Sequence, residues 1–273
     1  MVGVGRVQTF RLSRLSRATV RAQAAGIGHH RAMFERIKTW LGGAQSPSPA
    51  GVPSDGAART EFRQALQRYP AHAAPNAGYA RELTPEQAQA NLDWFLASLP
   101  ERLQALEGLL AAFGVPAQPA AITPEARQVW IGQLIDWTRR CWPPQPYRPE
   151  HLATDDWLRL PRTGDEAIFS VTLDLATRMG EVVRAACPSW RWGLDMTAAS
   201  LRGPYLTSRR VVLTTAPLGP KRVRLVRDWE AEVVARYKRA GSIDYAAALP
   251  FDPWWINFED ACTGRSIRML AQG

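Results

Sequence analysis

Between residues 84 and 116 the apolar positions fall three and four apart, the period of a helix with one buried face. Leu92, Phe95, Leu96 and Leu99 form a stripe, and Leu103, Leu106, Leu110 and Phe113 continue it beyond Pro100. Thr84, Pro85 and Gln87 occupy the positions of an N-cap, a first-turn proline and a capping-box partner, while Gly114 and Pro116 mark a stop. The pattern predicts two consecutive helices, or one kinked at Pro100. Thr123 and Pro124 repeat the start signal ahead of Val129, Trp130, Leu134, Trp137 and Cys141, a broad apolar face closed by "PPQPYRP". The shared "TPE" at 84–86 and 123–125 is not a repeat, because the residues after the two caps do not match.

After residue 160 the period changes. Residues 165–187 predict a helix whose apolar arc holds Ile168, Phe169, Val171, Leu175, Met179, Val182 and Val183. Ser170, Asp174, Thr177, Glu181 and Arg184 fall on the remaining, solvent-facing arc. Stretches 189–196 and 205–216 alternate as strands, and 221–241 predicts a further helix. In the tail, Phe251, Trp254, Trp255 and Phe258 crowd between and after Pro250 and Pro253, which discourage regular structure. Helices followed by helix–strand–strand–helix give an α+β fold, predominantly helical with a small antiparallel sheet in the C-terminal half.

The N-terminal quarter differs in kind. Residues 1–32 hold six arginines and no acid, a basic leader that is either disordered or upstream of the true start. Met33 is the expected natural start, opening a short amphipathic helix over 33–41. Residues 42–58, "GGAQSPSPAGVPSDGAA", read as a flexible linker that adds nothing to the core. A single α+β domain is expected over 59–273, or a helical part 59–150 joined to an α+β part 151–273. The few lysines beside many arginines, alanines and glycines suggest a GC-rich bacterial genome.

Charge matters less than its total implies. The chain carries +9, but the leader supplies six of those positives, leaving +3 for the rest. Binding of nucleic acid through the basic arm is therefore a weak alternative, and no specific nucleic acid is expected. Cys141, Cys187 and Cys262 are odd in number and widely spaced, so a reducing, cytoplasmic setting fits. No stretch reaches the roughly 20 apolar residues of a membrane span.

Chemical motifs are scarce. His29 and His30 lie in the leader, His72 and His151 are isolated, and no metal-ligand spacing or phosphate cradle occurs. No metal or cofactor is expected. Asp174, Arg178 and Glu181 form the one polar cluster with the composition of an acid–base site, but their spacing suits i,i+4 and i,i+3 pairs on a wet helix face. Gly180, in mid-helix, marks either a close backbone approach or a tolerated weak spot. Trp190 and Trp192 share one strand face, as core or as a groove lining. Trp254, Trp255, Phe251 and Phe258 are the partner-binding candidates, because tryptophan is enriched at binding hot spots. The resulting expectation is a protein that acts by binding another protein, as an inhibitor, immunity-type factor or adaptor. The alternative is an enzyme whose site assembles from dispersed residues. Oligomeric state is not legible.

Overall fold

The chain divides into two units, Met1–Val52 and Pro53–Gly273. The computed structural model describes residues 55–78, 82–143, 156–160, 162–203, 206–219, 221–240 and 253–272. The leader, the 33–41 segment and residues 42–54 lie outside them. The described elements are α1 (Asp55–Arg68), α2 (Pro85–Ala112), α3 (Pro124–Cys141), α4 (Ile168–Ala186), β1 (Trp190–Leu194), α5 (Ala198–Arg202), β2 (Val211–Thr215), β3 (Val226–Arg227), α6 (Trp229–Ala240), α7 (Pro253–Thr263) and α8 (Arg265–Gln272). The fold is α+β, with its antiparallel sheet in the C-terminal half.

Local chemistry sets the helix ends. The Thr84 backbone N–H donates to Gln87 Oε1 at 2.8 Å and the Gln87 N–H donates to Thr84 Oγ1 at 3.2 Å, the reciprocal capping box. Thr123 Oγ1 caps α3 by accepting from the Ala126 N–H at 3.3 Å. α2 runs unbroken through Pro100, so the stripe belongs to one 28-residue helix. It closes where Gly114 takes φ +68°, the left-handed conformation that a C-terminal glycine supplies without side-chain cost.

β2 is the centre of the sheet. It pairs antiparallel with β1, Trp190 opposite Thr215 and Leu194 opposite Val211, and with β3 through Leu213 opposite Arg227. Two predicted boundaries need correction. Residues 206–210 precede the strand instead of belonging to it, and β3 occupies part of the stretch expected to be helical, so α6 opens at Trp229. Asp228 explains that start: its carboxylate accepts from the Ala231 N–H at 3.1 Å and caps the helix.

One hydrophobic cluster joins Phe62 of α1, Leu106 of α2, Trp137 of α3, Met179 of α4, Trp229 of α6 and Phe258 of α7. α4 is the hub, packing on α2, α6, α7 and β1. The linker expectation fails at its end, because Asp55–Ala58 are the first turn of α1 and Ala58 is buried in the core. The tail is corrected too. Pro253 sits at the first position of α7, where a proline's missing N–H costs nothing, so it starts a helix instead of breaking one.

Candidate functional site

Burial overturns the expected polarity of α4. Asp174 is 1 % exposed, and Ser170 and Thr177 are buried with it. α2 and the segment after α1 cover the arc that the helical wheel assigned to solvent. Arg102 of α2 donates to Asp174 through Nε (3.0 Å) and Nη2 (2.5 Å), and the Tyr69 hydroxyl donates to the same carboxylate at 2.6 Å. Burial pushes the Asp174 carboxyl up to about 6, opposed by the Arg102 fork and the Tyr69 bond. Burial, with Asp174 beside it, also raises the Tyr69 hydroxyl above its ordinary value.

Asp174, Arg178 and Glu181 are therefore not brought together as a site. Arg178 reaches Glu107 of α2 at 3.9 Å, and burial lowers its guanidinium below the ordinary value. Glu181 pairs with Arg184 at 2.7 Å and accepts from Trp192 Nε1 at 2.6 Å. The expected i,i+4 pairing fails because Asp174 turns to a cation on another helix. Arg102 is the sign that the sequence did carry. It lies seven residues after Phe95 and four before Leu106, a charge in an apolar stripe, and such a charge needs a buried partner.

The Arg102 fork also holds the segment joining α1 to α2. Its Nη1 donates to the Pro70 carbonyl at 2.9 Å, and the far end of the segment is tied by Asn76, whose N–H donates to Asn91 Oδ1 at 3.0 Å. Beneath it lies a cavity of about 300 Å³, bounded by α2, α4, β1, the start of β2, and α6. That size is the low end of small-molecule sites. Trp94, Phe95, Leu173, Ala176, Trp192 and Trp229 make the apolar wall. His72, Arg159, Arg162, Arg209, Arg210 and Glu230 supply charge and hydrogen-bonding capacity.

The cations fall into two groups. Glu230 stands between Arg162 (2.7 Å) and Arg210 (2.8 Å), and Arg210 also pairs with the buried Asp228. Burial raises the Asp228 carboxyl, against the pull of Arg210. Arg159 pairs with Glu82. Arg209 differs: its Nη1 donates to the Leu83 carbonyl, its Nε is buried without a hydrogen bond, and no described carboxylate lies within ion-pair distance. Its backbone is fixed by Asp195, whose carbonyl accepts from the Arg209 N–H at 2.9 Å. The Asp195 side chain is anchored in turn by the Ser200 and Thr207 hydroxyls and by Thr197. Burial would raise the Asp195 carboxyl, but these hydrogen bonds outweigh it and hold it below the ordinary carboxylate value.

Three non-glycine residues take positive φ among the described residues, and two of them, Arg162 (56°) and Arg209 (58°), line the cavity. Such conformations cost about 1–3 kcal/mol each and cluster at functional sites. Here both residues stand at the wall of one cavity.

His72 completes the ring. Its N–H donates to Ser170 Oγ (2.9 Å), which itself donates to the Arg162 carbonyl (3.2 Å). The imidazole meets Trp94 edge-on, 4.7 Å between centroids. Burial, with Arg162 and Arg102 nearby, lowers it to about 3, so it is neutral at physiological pH. Nε2 is buried with no hydrogen-bond partner. In the sequence His72 is one isolated histidine; only the fold gives it neighbours.

Gly180 is explained by a side chain and not by a backbone approach. A Cβ there would lie 2.4 Å from Trp192 Cζ2 and 2.6 Å from Cη2, so glycine lets this indole approach α4 closely. Gly180→Ala should lower stability by about 1–3 kcal/mol, as overpacking does. A urea melt that instead showed a gain of about 1 kcal/mol, the helix-propensity value, would refute the packing account.

Two of the four partner-binding candidates lie in the core. Trp254 and Phe258 are fully buried, Trp255 is half-buried, and Phe251 lies outside the described residues. Trp190 is core, donating from Nε1 to the Ala261 carbonyl at 3.0 Å. Among the described residues no group of three or more His, Cys, Asp and Glu is placed to hold a metal ion, and no helix is long and apolar enough to cross a membrane. His29, His30 and His151 lie outside them. Comparison of the chain with protein-family models, curated proteins and solved structures gives no match.

Proposed function

We propose that this protein binds a small organic anion, a carboxylate or phosphate ester with an apolar body, in the cavity beneath residues 70–78. The observation that carries the reading is Arg209, a half-buried cation that makes no close ion pair with a described carboxylate, Glu86 acting on it only at longer range, held at positive φ at the cavity wall. A half-buried guanidinium outside any close ion pair keeps hydrogen-bonding capacity for an anion, which it can bind through charge-assisted hydrogen bonds. The tryptophan wall accommodates the apolar body. Contributions from residues as far apart as His72 and Glu230 match the arrangement required by an enzyme of dispersed residues, so a bound substrate and a bound effector are both compatible with it.

Binding to another protein, as an inhibitor, immunity-type factor or adaptor, has less support once Trp254 and Phe258 lie in the core. The basic arm invoked for nucleic acid lies outside the described residues.

Calorimetry with 3-phenylpropionate, phenyl phosphate and their aliphatic counterparts tests the proposal. At least one probe should bind, and Arg209→Met should weaken it about tenfold or more, the loss expected for a charged hydrogen bond. Absence of binding across the panel, or equal binding by wild type and Arg209→Met, would overturn the reading.

A further inference from the structure

We infer that the turn carrying residues 221–224 and the outer face of α8 form a docking surface for an anionic lipid bilayer. None of the residues of this surface lines the cavity. In the sequence the basic run Lys221, Arg222, Arg224 and Arg227 is followed by Asp228, Glu230 and Glu232, which would neutralise it. The fold separates the two signs. Asp228 and Glu230 turn inward to Arg210 and Arg162, and Glu232 accepts from Asn257 Nδ2 at 3.0 Å. Arg227 is paired with Asp260 at 2.7 Å. Lys221, Arg222 and Arg224 stay exposed. α8 adds Arg265 and Arg268, also exposed, and has no acid of its own. Arg268 donates one N–H to the Thr263 carbonyl, which leaves its charge uncompensated. No described carboxylate lies within ion-pair distance of these five cations.

Backbone contact makes them one surface. Gly219 takes φ +60°, and a Cβ there would meet the Leu270 carbonyl oxygen at 2.4 Å, so the turn lies against the end of α8. Leu218 and Val223 exchange backbone hydrogen bonds at 2.7 and 3.0 Å, and the Arg222 N–H donates to the Gly219 carbonyl at 3.0 Å. These bonds fix the turn, with Arg222 itself at φ 51°. On α8, Ile267 packs on the core, while Arg265, Arg268 and Met269 lie three and four apart on the other side.

Two apolar side chains set among the cations decide which polyanion fits. Val223 stands between Arg222 and Arg224 and is 38 % exposed; Met269 follows Arg268 and is 68 % exposed. Duplex phosphates would engage the cations and leave both apolar tips in water. Neither element carries an aromatic ring on which a single strand could stack. A protein partner asks for a contiguous apolar centre inside a polar rim, whereas here each tip is flanked by charge. A bilayer interface accepts both features: anionic headgroups attract the basic groups, and scattered apolar tips enter the headgroup boundary.

Co-sedimentation of the full chain with vesicles tests the inference. Wild type should bind phosphatidylcholine vesicles containing about one-third phosphatidylserine, and bind pure phosphatidylcholine about tenfold more weakly or worse. The triple variant Lys221→Glu, Arg224→Glu, Arg265→Glu should lose about tenfold or more on the anionic vesicles. Reversing three leader arginines instead, Arg11→Glu, Arg14→Glu, Arg17→Glu, gives the same net charge and should keep most of the wild-type affinity. Met269→Ser should weaken vesicle binding as well. No binding of wild type to anionic vesicles, equal binding to neutral ones, or equal losses in the two triple variants would overturn the inference. Tighter wild-type binding to random duplex DNA, insensitive to Met269→Ser, would assign the surface to nucleic acid and overturn the bilayer. Should the Lys221, Arg224 and Arg265 variant fail to fold, hydrogen exchange of wild type decides. Anionic vesicles should slow exchange in 221–224 and 265–270, and protection found only elsewhere would refute the assignment.

Discussion

Arg102→Met should destabilise the protein by about 3–5 kcal/mol, the cost of leaving one member of a buried ion pair alone. The substitution removes the fork on Asp174 and the donor to the Pro70 carbonyl, so it loosens both α4 and the segment that carries His72. Its pH dependence has a definite sign. The Asp174 carboxyl is already raised in the fold, to about 6 from 3.8, so the folded state binds this proton more tightly than the unfolded chain. Stability from that group is complete below about pH 4 and falls as pH climbs towards 6. Without Arg102 the folded value rises further, although Arg162 still acts on it, and the loss continues above pH 6. The penalty of Arg102→Met should therefore be smaller at pH 5 than at pH 8. Urea melts at the two pH values measure it. A penalty independent of pH, or below about 1 kcal/mol, would show that the pair contributes little. Replacing both partners, as Arg102→Met with Asp174→Leu, should recover much of the loss, because an apolar pair needs no desolvation.

Trp254→Ala should cost about 3–5 kcal/mol, as a large-to-small change in a packed core does. The indole is 1 % exposed, donates from Nε1 to the Glu232 carbonyl at 3.2 Å, and has the Arg236 guanidinium 4.7 Å above its ring. Truncation opens a void between α6 and α7 and leaves that guanidinium without its aromatic face. Trp255→Ala, half-buried on the neighbouring position, should cost less. Denaturant midpoints of the two variants separate core from surface. A folded, undamaged Trp254→Ala protein would return this residue to the surface and restore the case for a protein partner.

The sequence by itself determined the parts of the fold that depend on neighbours along the chain. Thr84, Pro85 and Gln87 form a cap because all the atoms involved lie within one helical turn, and Thr123 does the same for α3. The apolar arc of α4 is where periodicity put it, with Met179 and Leu175 fully buried. Alternation around Trp190 and Val212 located two strands, and the order of elements gave an α+β fold with a small antiparallel sheet.

Only the tertiary structure decided what the polar residues do. A helical wheel separates apolar from polar arcs, but it does not tell whether the polar arc meets water or a second helix. Asp174 meets Arg102, 72 positions away in the chain. Pro253 illustrates the same limit for local signals, since one residue type both breaks helices and starts them, and packing of Trp254 and Phe258 on α6 and α3 selects the start. The candidate site is the extreme case. His72, Arg162, Arg209 and Glu230 come from four separate segments, and none has a motif around it. Their chemistry arises from burial and from one another's charges, and both of these exist only once the chain has closed around the cavity.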